Sequence, residues 1–346
     1  MKVLVDINHP AHVHFFRNLI QELRHNGINV VITASDKDIA FDLLSLYNLP
    51  YINLGSYGRN LLIKLLNIPI MGLKMWRVAL KEKPDLMIGL GSSRITHAGF
   101  LTGIKTFVFT DTEHVREQLL LYKPFVTRIY TPDCFLLDLG EKQVRYPSYH
   151  ELAYLHPDRF TPSKKVLDML GVAHNERLFV VRFVSWGASH DVGHSGLSDN
   201  GKIELTNLLA KHGRVIITSE GAMPQVLEKY KMRVSASLIH DLLYFADMYV
   251  GEGGTMASEA AVLGTPSVFV STLKAGTFEE LKNKFNLLIQ CYDDQSTLEQ
   301  VSNLLNYRNL KEEWRSRHKK FIDLKTDPTQ YIFHEIQAFA KNNDRL

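Results

Sequence analysis

Residues His240–Val270 read HDLLYFADMYVGEGGTMASEAAVLGTPSVFV. The pattern is a short apolar strand at Met248–Val250, a glycine turn, a helix over Thr255–Leu263, a proline turn and a second strand at Ser267–Val270. Gly251, Gly253 and Gly254 let the backbone turn sharply after the strand and come close to a ligand. The helix that opens near Thr255 presents free backbone N–H groups and the positive end of its dipole, a natural seat for a diphosphate. Glu259 lies about one turn further in, where a carboxylate reaches past the phosphates to ribose hydroxyls. The plainer alternative is a helix–strand junction in which glycine only gives tight packing.

Working outward, strands and helices alternate on both sides. In the first half, strands are predicted at Lys2–Asn8, Asn29–Ala34, Tyr51–Leu54, Asp85–Leu90 and Thr106–Thr110. Helices lie between them at His12–Asn26, Asp36–Tyr47 and Leu61–Lys83, the last broken or kinked at Pro69. Periodicity weakens from Pro132 to Pro162, which reads as a domain edge. The alternation restarts at the Leu178–Val184 strand. Repeated units of this kind build parallel sheets covered by helices on both faces. The fold class expected is α/β, with two tandem Rossmann-like, doubly wound parallel-sheet domains facing across a cleft. Their bounds are 1–160 and 161–327, with a last helical segment at 328–346.

Composition narrows the function classes. The chain has 346 residues, 45% of them hydrophobic and 22% charged, which excludes disordered and low-complexity classes. With 40 basic and 37 acidic residues, the net charge of +3 gives no electrostatic case for nucleic acid. The two cysteines, Cys134 and Cys291, have no metal or redox spacing. No apolar run reaches the ~18 residues that span a bilayer. A cytoplasmic protein is expected.

Ligands of open parallel sheets sit beyond the carboxyl ends of the strands. The loop after the first strand holds His9 and His12, with His14 just inside the helix. A histidine there, near neutral pKa, can take a proton from a hydroxyl, or all three can simply cap and pack. After the Thr106–Thr110 strand come Asp111, Thr112, Glu113 and His114, an acid/base cluster or a set of helix caps. Arg182 lies in an apolar strand and requires an anion or a buried acid. His190, Asp191 and His194 lack a fourth ligand at useful spacing, so no metal site is expected. Between residues 59 and 83, Arg59, Lys64, Lys74, Arg77, Lys81 and Lys83 are interleaved with apolar residues. That stretch fits peripheral contact with the inner face of a membrane, or a sheet-facing helix with a solvated edge.

The His240–Val270 segment resembles the nucleotide-sugar signature of GT-B glycosyltransferases, most of all the MurG-type N-acetylglucosaminyltransferases. The non-hydrolysing UDP-N-acetylglucosamine 2-epimerases have a related turn. The opening DINHPAHVHFFRNLI and the string FTDTEH are similar to a prokaryotic family of predicted glycosyltransferases of unsettled function, over nearly the full length. The resemblance implies a metal-independent enzyme that needs no cofactor. It would move a sugar from a nucleotide-sugar donor, UDP-linked, to a hydroxyl of a polysaccharide or lipid-linked acceptor in cell-envelope or surface-polysaccharide assembly. It also implies a C-terminal domain that holds the donor and a last helix crossing back to the N-terminal domain. Donor contacts are then expected from Arg182, Ser185, Gly187, Ser219, Glu220, His240, Gly253, Gly254, Thr255, Ser258 and Glu259. His12 is the positional match to the histidine of MurG-like enzymes, although their glycine-rich loop is replaced here by Asn8, His9 and Pro10. His12, Asp111 and Glu113 are the expected catalytic residues. The alternatives are a 2-epimerase-like enzyme, for which a glutamate after the equivalent strand is catalytic, and a non-catalytic nucleotide-sugar-binding protein.

Overall fold

The computed structural model describes residues 1–37, 39–56, 58, 61–113, 116–173, 175–184, 196–219, 221–232 and 235–343. It divides into two compact units, Met1–Arg159 with Thr326–Leu346, and Phe160–Lys325.

Unit 1 runs β1 (Lys2–Ile7), α1 (Pro10–His25), β2 (Asn29–Ser35), α2 (Ala40–Leu46), β3 (Ile52–Gly55), α3 (Leu61–Glu82), β4 (Leu86–Leu90), α4 (Ser93–Thr102), β5 (Lys105–Phe109), α5 (Arg116–Tyr122), β6 (Arg128–Pro132), β7 (Gln143–Tyr146) and α6 (Leu152–Leu155). Its seven strands are ordered β3-β2-β1-β4-β5-β6-β7, and every pairing is parallel. The central strands read as unbroken apolar runs because helices cover both faces. Leu4, Met87, Val108 and Ile129 share one core with Met71, Met75 and Ala79 of α3 and Ile95 of α4. On α1, Phe15 and Phe16 pack against Phe109. Burying such a side chain contributes about 1.5–3 kcal/mol. His9 caps α1, its Nδ1 accepting the Ala11 N–H at 3.2 Å, and Pro10 supplies the first helical turn.

Unit 2 runs α7 (Lys165–Met169), β8 (Leu178–Phe183), α8 (Asp199–Ala210), β9 (Arg214–Ser219), α9 (Ile239–Phe245), β10 (Met248–Gly251), α10 (Gly254–Val262), β11 (Ser267–Val270), α11 (Gly276–Asn283), β12 (Leu288–Cys291), α12 (Asp294–Leu305) and α13 (Leu310–Leu324). Its five strands are ordered β12-β11-β10-β8-β9, again all parallel. The chain then returns to unit 1 with α14 (Pro328–Asn343). There Tyr130 donates its hydroxyl hydrogen to Glu335 at 2.7 Å, and Tyr331 stacks on Tyr146.

Three expectations from the sequence need correction. First, of the break or kink expected at Pro69, the break does not occur: α3 is one helix across it. Proline removes one N–H donor, and the buried stripe of Met71, Met75 and Ala79 keeps the rest of the helix on the core. Second, the Asp36–Tyr47 helix is shorter and starts at Ala40. Third, the segment from Pro132 onward is not all domain edge, because β7 completes the first sheet. β7 reads Gln-Val-Arg-Tyr and only Tyr146 is buried, so an edge strand lacked the apolar run that marks the others.

Candidate active site

Both sheets have a point where the strand order reverses, and crevices at such points beyond the carboxyl ends of the strands are where open α/β sheets take their ligands. In unit 1 the reversal lies between β1 and β4; in unit 2 it lies between β8 and β10.

At the unit 1 reversal, Asp6 ends β1 and Arg94 opens α4, after β4. Arg94 Nη2 lies 2.6 Å from Asp6 Oδ1 and its Nε lies 2.8 Å from Oδ2. Ser92 and Thr33 donate hydroxyl hydrogens to the same carboxylate at 2.6 and 2.8 Å, and Arg94 also donates to Ser35. Asp6 is fully buried and Arg94 is 3% exposed. This network ties the ends of β1 and β2 to the residues that follow β4. Nothing in the sequence reading had singled it out. The signal was present, because an acid at the end of an apolar strand demands a partner just as Arg182 does.

The three early histidines separate by role. His9 is a helix cap. His14 is buried between Tyr154 and Tyr47. His12 has a buried Nδ1 with no hydrogen-bond partner among the described residues. Burial, reinforced by electrostatic interaction with His9, Arg94, Lys37 and His150, holds the His12 pKa well below the ordinary 6.5. The ring is therefore neutral at pH 7. The unfolded chain binds that proton more readily, so the contribution of neutral His12 to stability is complete above about pH 6.5 and is lost as the pH falls below it toward the folded value. Urea titrations at about pH 7.5 and about pH 5 should show a smaller loss of stability on acidification for His12→Gln than for the wild type. Equal losses in the two proteins would refute this.

Beyond β5, Asp111 pairs with His150, Oδ2 to Nδ1, at 3.1 Å. Burial raises the Asp111 pKa, but the electrostatic interaction and hydrogen bond with the His150 ring outweigh it and bring the value down to about 2. Glu113 is 7% exposed, and its Oε1 accepts the Leu136 N–H at 3.0 Å. His114 lies outside the described residues. His150 was missed in the sequence because nothing near it marks it; its partner is distant along the chain and meets it only in the sheet.

At the unit 2 reversal, Gly251 ends β10 in register with Arg182 on β8. A Cβ on Gly251 would fall 2.9 Å from the Arg182 Cβ, and one on Gly254 would fall 2.9 Å from Phe278 Cζ, so glycine is required by close approach at both. Gly253 caps α10 without a side-chain bond, and no acidic residue occupies the first turn. The helix N-terminus therefore keeps its positive end, with Thr255 exposed. One turn on, the Ser258 hydroxyl is buried with no partner among the described residues. Glu259 and His240 form a buried pair, Oε1 to Nε2, at 3.0 Å. Glu252, 3% exposed, accepts the Val184 and Leu197 N–H groups at 2.9 Å each, fixing both flanks of residues 185–196. Ser219 donates to the Gly221 carbonyl at 3.0 Å. Ser185, Gly187 and Glu220 lie outside the described residues, as do His190, Asp191 and His194.

Arg59 also lies outside the described residues. Of the rest of 59–83, the burial of α3 is described from Asn67 onward. Met71, Met75 and Ala79 are buried, while Ile70, Leu73 and Leu80 are exposed together with Arg77 and Lys81. Phe100 and Leu101 at the end of α4 are exposed as well. Among the described residues, no helix is long and apolar enough to cross a membrane.

Comparison with known proteins places this architecture. The UDP-GlcNAc 2-epimerase of Neisseria meningitidis, solved bound to UDP-GlcNAc, superposes with a TM-score of 0.72 at 15% identity, over 98% of this chain and 100% of that one. The UDP-GlcNAc 2-epimerase of Methanocaldococcus jannaschii gives 0.66 at 14% identity, over 91% and 98%. The glycosyltransferase SnogD of Streptomyces nogalater gives 0.65 at 16% identity, over 98% and 99%. The two parallel-sheet units are thus a GT-B fold. In sequence, the uncharacterized protein MJ0665 of Methanocaldococcus jannaschii is 23% identical over 351 residues, covering 99% of each chain. A family model matches residues 1–341, and on that match the chain belongs to the family described as "Protein of unknown function (DUF354)".

Proposed function

We propose that this protein is an enzyme acting on a nucleotide-activated sugar, UDP-linked, and that it transfers the glycosyl group to an acceptor hydroxyl in cell-envelope or surface-polysaccharide assembly. The observation that carries this reading is the uncapped N-terminus of α10 at the β8/β10 reversal, with Arg182 alongside the glycine turn. Backbone N–H groups and a guanidinium there stabilise the negative charge that grows on a departing diphosphate. Gly253, Gly254 and Thr255 hold the diphosphate. Ser258 and the Glu259–His240 pair complete the donor site, with Arg182 and Ser219 at its strand ends. The anomeric carbon passes through an oxocarbenium-like state, as in other glycosidic substitutions. The proton of the acceptor hydroxyl goes to a base of unit 1, one of His12, Asp111, Glu113 and His150.

A second reading has a specific observation in its favour. Asp111 and Glu113 put two carboxylates beyond one strand, which suits removal and return of a proton on the sugar itself during epimerisation at C2. The solved structures named above include proteins of both kinds.

One experiment with two arms tests the proposal. A thermal-shift screen of UDP-, GDP-, CMP- and dTDP-sugars is expected to show stabilisation by a UDP-sugar, because a ligand that binds only the folded state raises apparent stability. UDP-GlcNAc incubated alone is then expected to yield no sugar inverted at C2, whereas inversion would establish the epimerase reading. Stabilisation by none of the UDP compounds would overturn both. In the second arm, the exposed apolar and basic residues of α3 and the α4 end should bring the protein down with phosphatidylglycerol vesicles but not with phosphatidylcholine vesicles. Equal recovery with the two lipids would remove the membrane contact from the proposal.

A further inference from the structure

Nδ1 of His12 and Nε2 of His150 are buried, and neither has a hydrogen-bond partner among the described residues. Their surroundings differ. His150 is 6% exposed. Its ring centroid lies 4.6 Å from that of Phe15, and the ring is nearly parallel to Tyr146, at 8° and 6.4 Å. Its other nitrogen faces the Asp111 carboxylate at 3.1 Å. That contact sets the tautomer of the neutral ring: Nδ1 carries the hydrogen and donates it to Asp111, so Nε2 presents its lone pair. A buried nitrogen left unpaired is unfavourable, and a donor hydroxyl at that point would satisfy it. His12 has no carboxylate within ion-pair distance among the described residues, and the groups whose charge it feels are His9, Arg94, Lys37 and His150. A proton on His12 is opposed by every one of them.

We propose that His150, oriented by Asp111, is the catalytic proton acceptor, and that His12 instead accepts a hydrogen bond from bound substrate. The proposal rests on the glycosyl-transfer reading and assigns its base. In the step, the acceptor hydroxyl passes its proton to His150 Nε2 while the oxygen lone pair bonds to the anomeric carbon. The bond from that carbon to the diphosphate oxygen breaks, and its electron pair leaves on the diphosphate. Asp111 keeps its negative charge throughout and stabilises the imidazolium, acting as a positioning residue.

Release of UDP from UDP-GlcNAc with water as the acceptor provides the assay, alongside UDP affinity by calorimetry. His150→Gln should lower kcat by roughly 10²–10⁴-fold with UDP affinity within about threefold of wild type. Asp111→Asn should lower kcat by at least about tenfold. His12→Gln should raise KM more than it lowers kcat. NMR of the ¹⁵N-histidine protein should show wild-type His150 protonated on Nδ1, with Asp111→Asn shifting the hydrogen toward Nε2; this readout holds even where His150→Gln fails to fold. A kcat within threefold of wild type for His150→Gln overturns the proposal, as does a wild-type ring protonated on Nε2, or UDP binding without any UDP release. Failure of the wild type to bind UDP at all would instead overturn the donor-site reading beneath it.

Discussion

Truncating Asp6 to alanine is expected to destabilise the protein by about 3–5 kcal/mol, because it strands the Arg94 guanidinium in a buried site without its counter-charge. Arg94 is 3% exposed and makes its closest carboxylate contact, 2.6 Å, to Asp6. Ser92 and Thr33 would lose their acceptor at the same time. Total stabilities of folded proteins are about 5–15 kcal/mol, so a loss of this size removes a large fraction. Replacing both partners with apolar residues, Asp6→Leu with Arg94→Met, should recover much of the loss, since no isolated charge is left buried. Urea denaturation of the single and double variants measures both. A single-variant loss under about 1 kcal/mol would mean that water reaches Arg94 and the network is not sealed. The same bonds hold the ends of β1 and β4, so the surviving folded fraction should also show a displaced first turn of α1, which carries His12.

The second large effect concerns the donor site and runs opposite to stability. Thr255→Glu places a carboxylate on an exposed position in the first turn of α10. An acidic side chain near a helix N-terminus stabilises the helix by about 0.3–1 kcal/mol. The same charge repels a diphosphate seated on those N–H groups. At ~5 Å and an effective dielectric of ~20 the repulsion is about 3 kcal/mol, equivalent to a loss in UDP affinity on the order of 100-fold. Calorimetric titration with UDP, together with a melting curve, separates this outcome from misfolding. A Thr255→Glu protein that melts no lower than wild type yet binds UDP as tightly would place the diphosphate elsewhere.

Much of the fold was legible because parallel sheets buried on both faces leave apolar runs, and both sheets show them from Lys2 onward and again from Leu178. The glycine turn at Gly251–Gly254 was legible for a related reason: Tyr249 and Arg182 crowd any Cβ at Gly251 and Phe278 crowds one at Gly254, and such a constraint marks the sequence. β7 was not legible, because an edge strand buries one side chain of its four. The pairs Asp6–Arg94 and Asp111–His150 were not legible as pairs. Each joins residues from different strand ends, and no local spacing encodes such a meeting.

The amino-acid sequence alone determined the alternation of strand and helix, the two-sheet class and the backbone turn before α10, because local hydrophobic period and glycine placement act over a few residues. Tertiary structure alone decided which of the early histidines caps α1, which partner each buried charge takes and that His150 stands behind Asp111. Those outcomes depend on which strand ends the sheet order brings side by side, a property of strand pairing across long stretches of chain rather than of any stretch by itself.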